Sequence, residues 1–408
     1  MHCSRKIIFL NRFFSPDHAA TSQMLADLTT DLVKRGLSVQ VIASRLRYDD
    51  PRARLPGREV LDGVHVHRVW SSRFGRHFLP GRLIDYLTFH LSAACRLFLL
   101  ARRDDLVVVL SDPPLLAVSQ WPILRLRHAR LLTWNHDIFP EVAMLLGVRP
   151  FGNPGLRLLR RVRNRTWRQA FRNVVLGQRM AEKLRQEGVP AERICIIHNW
   201  SDGQTIRPIA HEKNPLRTEW EVNGRFVVGY SGNLGRAHEM DTILAAAREL
   251  EHRPEICFLF IGGGVGFNRL QERLKAAPPP NILLKPYQPR CMLPYSLTLP
   301  DIHWISLMPE LEGLIVPSKV YGILAAGRPT LYVGDRQGEI PALLQAAGCG
   351  CTCAIGDVQA VVRQLIAWAD DRQQCQRMGQ SARRLFLERF DQPIAMAAWW
   401  QLIQETTP

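Results

Sequence analysis

The residues best suited to chemistry lie between Pro309 and Gly334, in the stretch PELEGLIVPSKVYGILAAGRPTLYVG. Because Pro317 disfavours a helical conformation in the residue before it, a helix is expected to begin with Ser318 as its N-cap. The first N–H groups of such a helix carry partial positive charge, and the ammonium of Lys319 adds a full one. This combination would bind a diphosphate. From this stretch alone, an ordinary capped helix between two strands remains an equal alternative.

Two further glycine-rich turns favour the anion-binding interpretation. Each directly follows an apolar stretch typical of a strand, and glycine lets a phosphate approach the backbone closely. The first turn consists of Ser231, Gly232, Asn233, Leu234 and Gly235, and the second, IGGGVG at 261–266, contains Gly263. Two such turns at equivalent strand ends predict a phosphate site, with the second turn near a nucleoside.

Short apolar strands alternate with helical patterns along the whole chain, which predicts an α/β fold with parallel sheets. The polar stretch at 201–224 contains prolines and glycines and no clear strand, and the alternation restarts at RFVVGY. We therefore expect an N-terminal Rossmann-like domain over 1–200, a linker over 201–224 and a C-terminal domain over 225–391. Two such halves predict a ligand cleft at the carboxyl ends of their strands.

The composition limits the partners and the compartment. With 408 residues, a formal charge of +16 and a pI near 9.9, the chain is expected to meet nucleic acid, an anionic membrane or phosphorylated ligands. The cysteines of CGCTC lack a paired CxxC and a nearby histidine, so no metal site is predicted. The N-terminus lacks a secretory h-region, and the longest apolar run is interrupted by Asp85, His90 and Arg96, so we expect a cytoplasmic protein that does not cross the membrane.

Basic residues are concentrated in two segments. SSRFGRHFLPGRLIDYL mixes arginines with aromatic and apolar residues, and a predicted helix over 155–172 is rich in arginine; its arginines are Arg157, Arg160, Arg161, Arg163, Arg165, Arg168 and Arg172. Such segments suit peripheral attachment to an anionic bilayer, at the inner face of the cytoplasmic membrane. A solvated arginine face is the alternative.

Motifs in order along nearly the whole chain resemble the family 4 glycosyltransferases of the GT-B fold, in the bacterial branch that assembles O-antigen, colanic-acid-like and other surface polysaccharides. They are FLNRFFSPDHAATSQMLADL, WNHDIFPEVAMLLGV, IHNWSDGQTIRP, VGYSGNLGRAHEMDTILAA, FLFIGGG and EGLIVPSKVYGILAAGRP. The resemblance implies two Rossmann-like domains facing a central cleft, with a C-terminal helix, 392–408, that crosses back to the N-terminal domain.

The same resemblance implies the reaction. A sugar would pass from a nucleotide donor, by family frequency a UDP-sugar, to a lipid-linked or saccharide acceptor, with retention at the anomeric carbon and without a metal. The C-terminal domain would hold the nucleotide, and Lys319 and Arg236 would stabilise the departing diphosphate. No cofactor is expected beyond the donor itself.

Several site residues follow from the resemblance in the C-terminal domain. Glu312 matches the first acid of the family's Glu-x7-Glu element and would bind the donor sugar. The loop before PSK is longer here than in the family, so the second acid, which holds the ribose, falls on Gly322, and Glu339 is the substitute that we consider. His238 stands near Arg236 as a secondary contact. Tyr287 would line the base pocket unless it belongs to the core.

In the N-terminal domain, the resemblance places His136 against the donor sugar from across the cleft, unless it is a structural histidine at a strand end. Asp137 and Glu141 would bind the acceptor or take its proton, which the residues leave open. The family's glycine pair in the first loop is replaced by Ala19 and Ala20, whose backbone N–H groups would approach the diphosphate.

Two other functions fit part of the pattern. A nucleotide-sugar 2-epimerase shares the two-domain architecture, but it would need an acid-rich catalytic set in the N-terminal domain, which is not found. Nucleic-acid binding fits the charge, but no zinc finger, RNP-like motif or helix-turn-helix is legible, so no nucleic-acid partner is expected.

Overall fold

A computed structural model describes residues 6–48, 50, 52, 54–75, 79–148, 152–275 and 279–406. These residues form two compact units. The first unit contains the residues up to His198 and those from Met396 onward, and the second unit is Asn199–Ala395.

Eight described strands form the sheet of the first unit, in the order β3-β4-β2-β1-β5-β6-β7-β8. All neighbouring pairs are parallel except β3 and β4. The strands are β1 (Lys6–Leu10), β2 (Ser38–Ser44), β3 (Arg58–Leu61), β4 (Val64–Val69), β5 (Leu106–Leu110), β6 (Arg130–Asn135), β7 (Arg172–Val175) and β8 (Ile194–Ile196).

The helices of the first unit pack on this sheet. They are α1 (Ala20–Lys34), α2 (Leu79–Leu100), α3 (Leu116–Leu126), α4 (Glu141–Leu145), α5 (Gly152–Gln169) and α6 (Gln178–Gln186). The central strand β5, LVVVL, is buried along its whole length, as expected for a parallel strand covered on both faces. Leu25, Leu28 and Leu32 recur at helical spacing and turn one face of α1 toward the core.

The second unit has a parallel sheet of six described strands in the order β11-β10-β9-β12-β13-β14. They are β9 (Phe226–Asn233), β10 (Ile256–Gly263), β11 (Ile282–Pro286), β12 (Ile302–Ser306), β13 (Thr330–Val333) and β14 (Gly350–Cys353). Its helices are α7 (Pro215–Glu219), α8 (Asp241–Glu249), α9 (Val265–Lys275), α10 (Leu293–Thr298), α11 (Lys319–Ala325), α12 (Glu339–Ala347), α13 (Val358–Asp370) and α14 (Arg372–Arg389).

The chain ends in α15 (Gln392–Glu405), whose second half belongs to the first unit. Trp399 is fully buried and packs edge-on against Trp134 of β6, with ring centroids 4.7 Å apart. Arg130 donates a hydrogen bond of 2.8 Å to the carbonyl of Thr406. The returning helix is therefore part of the first unit's core.

The stretch predicted as a linker, 201–224, is packed into the second unit. Leu216, Trp220 and Val222 lie in an apolar cluster with residues of β9 and β10. The buried guanidinium of Arg217 donates to the carbonyls of Leu299 and Arg225. The sequence did not predict this packing because only a few apolar residues of the stretch contact β9 and β10.

The helix α2 bears on the expectation that the chain does not cross a membrane, which stays a prediction. By length and composition it is the one helix in the described ranges that could cross a bilayer, and 22% of its most apolar window is buried. The interruptions at Asp85, His90 and Arg96 do not exclude α2 from this class by composition. In the structure, Phe89, Ala93 and Leu97 turn one face of α2 into the core of the first unit.

Candidate active site

In the second unit, the candidate site lies at the carboxyl edge of the sheet, where the strand order reverses between β9 and β12. The crossovers leave this point in opposite directions, which opens a crevice between the loops that follow the two strands. The turn after β9 and the segment that leads from β12 to α11 therefore converge. The residues of the second unit that were predicted to hold the nucleotide lie at the last residues of β9 and β10, on the segments that follow the strands β9 to β13, or at the first residues of α11 and α12.

Lys319 and His238 form the centre of this site. Nζ of Lys319 donates to Nε2 of His238 at 3.0 Å, and Nδ1 of the same ring donates to the carbonyl of Ser306 at 2.6 Å. Burial lowers the pKa of Lys319 to about 8. Burial, followed by the nearby ammonium, lowers the pKa of His238 to about 3. The ring is therefore neutral, and its Nε2 can accept a hydrogen bond from the ammonium.

The ammonium of Lys319 has no carboxylate within ion-pair distance among the residues that the structure describes. It lies 5.2 Å from the ring centre of Tyr230, whose face attracts a cation. A buried cation that is held by a neutral imidazole and an aromatic face retains donors for an anion. The structure thus brings Lys319 and His238 together, two residues that were each predicted to lie near the donor, and the histidine holds the lysine.

The two glycine turns interlock at the same edge. Gly232 has φ +125°, and a Cβ there would lie 2.9 Å from Cε of Lys319. Gly262 has φ +142°, and a Cβ there would lie 2.1 Å from the carbonyl oxygen of Gly232. Gly264 likewise leaves room for the side chain of Asn233. The glycines are therefore needed for close backbone packing and for the position of the lysine.

One of two predicted phosphate contacts is wrong in detail. Leu234 is buried in the core of the second unit, its N–H donates to the carbonyl of Gly263, and its own carbonyl accepts from Gly266. Its backbone is thus already engaged. Ser318 occupies the predicted N-cap position directly before α11, although its backbone is helical and its side chain makes no capping hydrogen bond, and its contact with a phosphate stays a prediction.

The side chain of Glu312 contacts the first residue of α12, Glu339. One carboxylate oxygen accepts the N–H of Glu339 at 2.7 Å, and the other accepts the hydroxyl of Tyr332 at 3.4 Å. A Cβ on Gly338 would come within 2.6 Å of this carboxylate. Burial raises the pKa of Glu312 even though these donors oppose the shift. The carboxylate is therefore held rigidly, and it also caps α12.

The structure explains why position 322 carries no acid. A Cβ on Gly322 would lie 3.2 Å from a methyl group of Leu297, so this face of α11 is turned toward α10. Glu339 begins α12 beside Glu312, and its charge contributes to the raised pKa of Glu312. The two glutamates are therefore close together, and the role of Glu339 toward the ribose stays a prediction.

Tyr287 and Arg236 are both accessible. Tyr287 is 58% exposed, so the alternative of a core aromatic is wrong, and its ring edge would lie 2.8 Å from a Cβ on Gly263. The ring thus borders the turn at the end of β10. Arg236 is exposed on the turn after β9, beside Gly235. Their contacts with a donor stay predictions.

In the first unit, His136 follows β6 directly. Its ring is buried against Trp134, with centroids 4.9 Å apart, and its Nε2 has no hydrogen-bond partner within the described part of the chain. Burial lowers its pKa to about 4, so the ring is neutral. An unsatisfied buried nitrogen favours a ligand contact over a purely structural role.

Asp137 lies beside this histidine. Burial, followed by the charge of Asp112, raises the pKa of Asp137 to about 6, which is suitable for proton transfer near neutral pH. Glu141 is instead paired with Arg163, whose guanidinium stacks 4.0 Å from the ring centre of Trp167. Of the two candidate acids, only Asp137 remains available.

The sequence interpretation missed Ser111 and Asp112. Oγ of Ser111 accepts the backbone N–H groups of His136 and Asp137, at 3.1 and 3.3 Å, and so positions both residues. The motif SDPP directly after the buried strand β5 could have indicated this.

The loop before α1 differs from its prediction in one respect. The N–H of Ala19 donates to a carboxylate oxygen of Asp17 at 2.9 Å, so it is not free for a phosphate. Ala20 is the first residue of α1. A contact of this loop with a diphosphate through the neighbouring N–H groups stays a prediction.

No group of three or more potential metal ligands occurs within the described ranges. Cys349, Cys351 and Cys353 are free thiols.

Two family models cover most of the chain. Residues 20–200 match the model described as Glycosyl transferase 4-like domain, and residues 213–385 match the model described as Glycosyl transferases group 1. The boundary between the two matches lies close to the boundary between the two units.

Two bacterial proteins are similar to this chain. The chain is 29% identical over 266 residues to WbjE of Pseudomonas aeruginosa, named as a glycosyltransferase, a match that covers 64% of this chain and 66% of that protein. It is 26% identical over 172 residues to WcaI of Escherichia coli K12, named as a colanic acid biosynthesis glycosyl transferase, with 42% of each chain covered. The matches span less than two thirds of either relative's length.

The fold is shared with solved glycosyltransferases. Anabaena Alr3699/HepE, solved in complex with UDP-glucose, superposes with a TM-score of 0.71 and 16% identity, over 98% of this chain and 99% of that one. This likeness confirms the predicted fold class.

Proposed function

Because the chain belongs to the family 4 glycosyltransferases of the GT-B fold, we propose that it transfers a sugar from a nucleotide donor to a saccharide acceptor, with retention and without a metal. The acceptor serves bacterial surface polysaccharide synthesis, in keeping with the names of the two relatives. The second unit binds the nucleotide sugar, and the first unit binds the acceptor.

One observation carries this proposal: the buried ammonium of Lys319 has a neutral histidine as its partner and no described carboxylate. A cation in this position is costly unless an anion arrives to pair with it. The donor's diphosphate supplies that anion, and a full positive charge already in place stabilises the negative charge that develops when the glycosidic bond breaks.

In the proposed step, the bond between the anomeric carbon and the diphosphate oxygen breaks, and the electron pair leaves with the phosphate. The acceptor oxygen bonds to the same face of that carbon, and its proton passes to the leaving phosphate oxygen. Retention by this route needs no protein carboxylate as nucleophile. This route agrees with the surroundings of Glu312, because both of its carboxylate oxygens already accept hydrogen bonds within the second unit. Lys319 supplies the charge that a divalent ion supplies elsewhere.

UDP is the proposed nucleotide. The related fold of Alr3699/HepE is known with UDP-glucose bound, and in this chain the exposed ring of Tyr287 borders the turn at Gly263. An accessible aromatic ring beside a glycine turn suits stacking with a pyrimidine.

The experiment is a panel of UDP-, GDP- and dTDP-sugars mixed with the purified protein in EDTA, with binding measured by calorimetry and, after a saccharide acceptor is added, products measured by NMR. We expect one nucleotide class to bind, the product to keep the donor's anomeric configuration, and EDTA to have no effect. The variant K275M, at an exposed lysine that pairs with Glu272, is the control for K319M. Equal donor affinity in both variants would sink the proposal.

We also propose that the first unit docks on an anionic membrane, at the inner face of the cytoplasmic membrane, where a lipid-linked acceptor would be found. Ile84, Leu87, Leu91 and Phe98 form an exposed stripe on α2, opposite the face that enters the core. The helices α2, α3 and α5 pack side by side. Exposed arginines lie just after α2 and on α3 and α5; they include Arg102, Arg103, Arg125, Arg157, Arg161 and Arg165.

An exposed apolar stripe on a group of packed helices that also carries exposed arginines matches the interface of an anionic bilayer, where each basic residue contributes about 1 kcal/mol. Vesicles with and without phosphatidylglycerol test this. We expect the wild type to sediment with the anionic vesicles and the L87Q/L91Q variant to sediment several-fold less. Equal sedimentation with neutral vesicles would contradict the docking proposal and leave the catalytic proposal untouched.

A further inference from the structure

A pocket of about 320 Å³ lies in the first unit, at the carboxyl ends of the neighbouring parallel strands β2 and β4. Its volume is within the range of small-molecule sites, roughly 300–1,000 Å³. The side chains that carry the argument are Arg45 and Arg54, from the segment after β2, and Trp70, Arg73 and Phe74, from the segment after β4.

The pocket is strongly cationic. Arg45, Arg54 and Arg73 are exposed, and none of them pairs with a carboxylate in the described part of the chain. Nε of Arg45 donates to the carbonyl of Leu55 at 3.1 Å, which leaves its outer N–H groups available. Three guanidinium groups around one pocket match a phosphate or diphosphate, which arginine binds through paired N–H donors.

The same pocket presents two aromatic rings to solvent. Trp70 and Phe74 are each 62% exposed. Large aromatic side chains left exposed beside a pocket indicate a binding surface. Their flat faces suit the C–H face of a sugar ring, so the lining combines groups for a sugar with groups for a phosphate.

The loop that carries these residues is held in place from below. The buried carboxylate of Asp85 accepts the hydroxyl of Ser72 at 2.6 Å and the N–H groups of Phe74 and Gly75 at 2.9 and 3.0 Å. The hydroxyls of Ser44 and Ser71, 3.0 Å apart, connect the segments after β2 and β4. The pocket is therefore built before any ligand arrives, which lowers the entropy cost of binding.

The pocket shares the sheet edge with His136 and Asp137, which follow β6. From β2 to β6 the sheet order has three steps, at about 4.8 Å each, or roughly 14 Å. A ligand anchored at the arginines and extended along this edge would bring a more distant hydroxyl toward Asp137.

We propose that this pocket binds the phosphoryl end of the acceptor, so that the acceptor is a saccharide attached to a phosphate or diphosphate. The inference rests on the proposed transferase function, because it assigns the anion to the acceptor. The arginines hold the phosphoryl oxygens and Trp70 covers the adjoining sugar. A soluble sugar phosphate and a lipid-linked sugar diphosphate share this chemistry.

The test uses the full chain in the K319M background, which removes the competing anion site in the second unit. Binding is measured for glucose, α-D-glucose 1-phosphate and glucosyl citronellyl diphosphate. We expect both phosphorylated probes to bind and glucose not to bind. Adding R45A/R73A should weaken phosphate binding at least tenfold, since each charged hydrogen-bonding group contributes on the order of tenfold or more.

The matched control is R248A/R384A, which removes two exposed arginines from the second unit. Preference for the citronellyl compound indicates a lipid-linked acceptor, and equal affinity indicates that the phosphoryl sugar suffices. Equal loss in both double variants, or binding of phosphatidylglycerol vesicles alone, would overturn the inference. Donor affinity is measured alongside in the wild-type chain, in which Lys319 is intact. If the wild type binds no nucleotide sugar, the transferase function is contradicted. If it binds the donor normally but none of the phosphorylated probes binds, only the proposal for the pocket is contradicted.

Discussion

Lys319 shows at the scale of one residue how stability and binding oppose each other. Its ammonium is held by the neutral ring of His238 and by the face of Tyr230, an arrangement that favours the charged lysine less than water does. The lowered pKa of about 8 expresses this cost. An incoming diphosphate removes the cost, so the energy of binding is realised at the reacting end of the donor.

The first prediction concerns K319M, in which the apolar stem is kept and the charge is lost. Nucleotide affinity should fall about 10- to 100-fold, since a charge-assisted contact is worth roughly 1.5–3 kcal/mol. The free energy of unfolding at pH 7 should stay equal or rise, because a buried charge is removed. Calorimetry and urea unfolding check both results. A large loss of stability would show that the ammonium is a structural group.

The second prediction is a pH dependence of nucleotide binding. In the free protein, the charged fraction of Lys319 falls as the pH rises through about 8, so nucleotide affinity should decline above that pH. For stability the sign is opposite: the folded state binds fewer protons than the unfolded state between pH values of about 8 and 10.5, the ordinary pKa of lysine, so this group's contribution to stability rises across that window. Titrations from pH 6.5 to 9.5 should show the decline in the wild type and not in K319M.

The third prediction concerns E312Q. The glutamine oxygen can still accept the N–H of Glu339, so stability should change by less than about 1 kcal/mol. Transfer should fall more than the affinity for the free nucleotide, because the lost charge faces the sugar in the proposed role. E312A, which also loses the cap on α12, is the comparison for stability. Equal losses of transfer and nucleotide affinity in E312Q would contradict this role.

At the scale of elements, the ends of β9 and β10 work as one unit. The turn after β9 must be glycine at 232 because φ is +125° and the space beside it holds the Lys319 side chain. At Gly235 the φ is not in the left-handed region, and a Cβ would meet only the amide of Asn233 at 3.6 Å.

The fourth prediction compares these two glycines. G232A should displace Lys319 and strain the turn, so both nucleotide affinity and melting temperature should fall. G235A should leave melting temperature within a degree or two of the wild type, because it creates only an ordinary contact. Differential scanning calorimetry and nucleotide titration separate the two variants. If both alanine variants have the same melting temperature and nucleotide affinity, the close contact between Gly232 and Lys319 does not matter for function.

Alternating strand and helix patterns predict the two sheets well, but the edge strand β3 does not follow from them. The strand β3 was missed, although Asp62 and Gly63, both with positive φ, make a two-residue turn between β3 and β4. The pair Asp-Gly is the sequence pattern that such a hairpin requires. The edge strand was overlooked because its residues alternate without a buried apolar core.

At the scale of the whole molecule, the end of the chain completes the beginning. The fifth prediction is that W399A destabilises the first unit by about 3–5 kcal/mol, since a fully buried tryptophan leaves a large cavity. Amide exchange in β6 should accelerate. The control W400A removes a half-buried ring that stacks on Arg35, and it should cost about 1 kcal/mol. Equal effects would show that α15 adds little to this core.

By itself the sequence determined the α/β class, the two sheets and the segments around Gly232, Glu312 and Lys319, because these depend on periodicity and on glycine and proline at fixed offsets. Partners distant in sequence were decided only by the tertiary structure. Folding brings Lys319 against His238, places Glu312 at the start of α12, and joins the segments after β2 and β4 into one cationic pocket. Local sequence does not encode which loops meet at a sheet edge, because strand order sets that, and strand order is chosen by the packing of the whole unit.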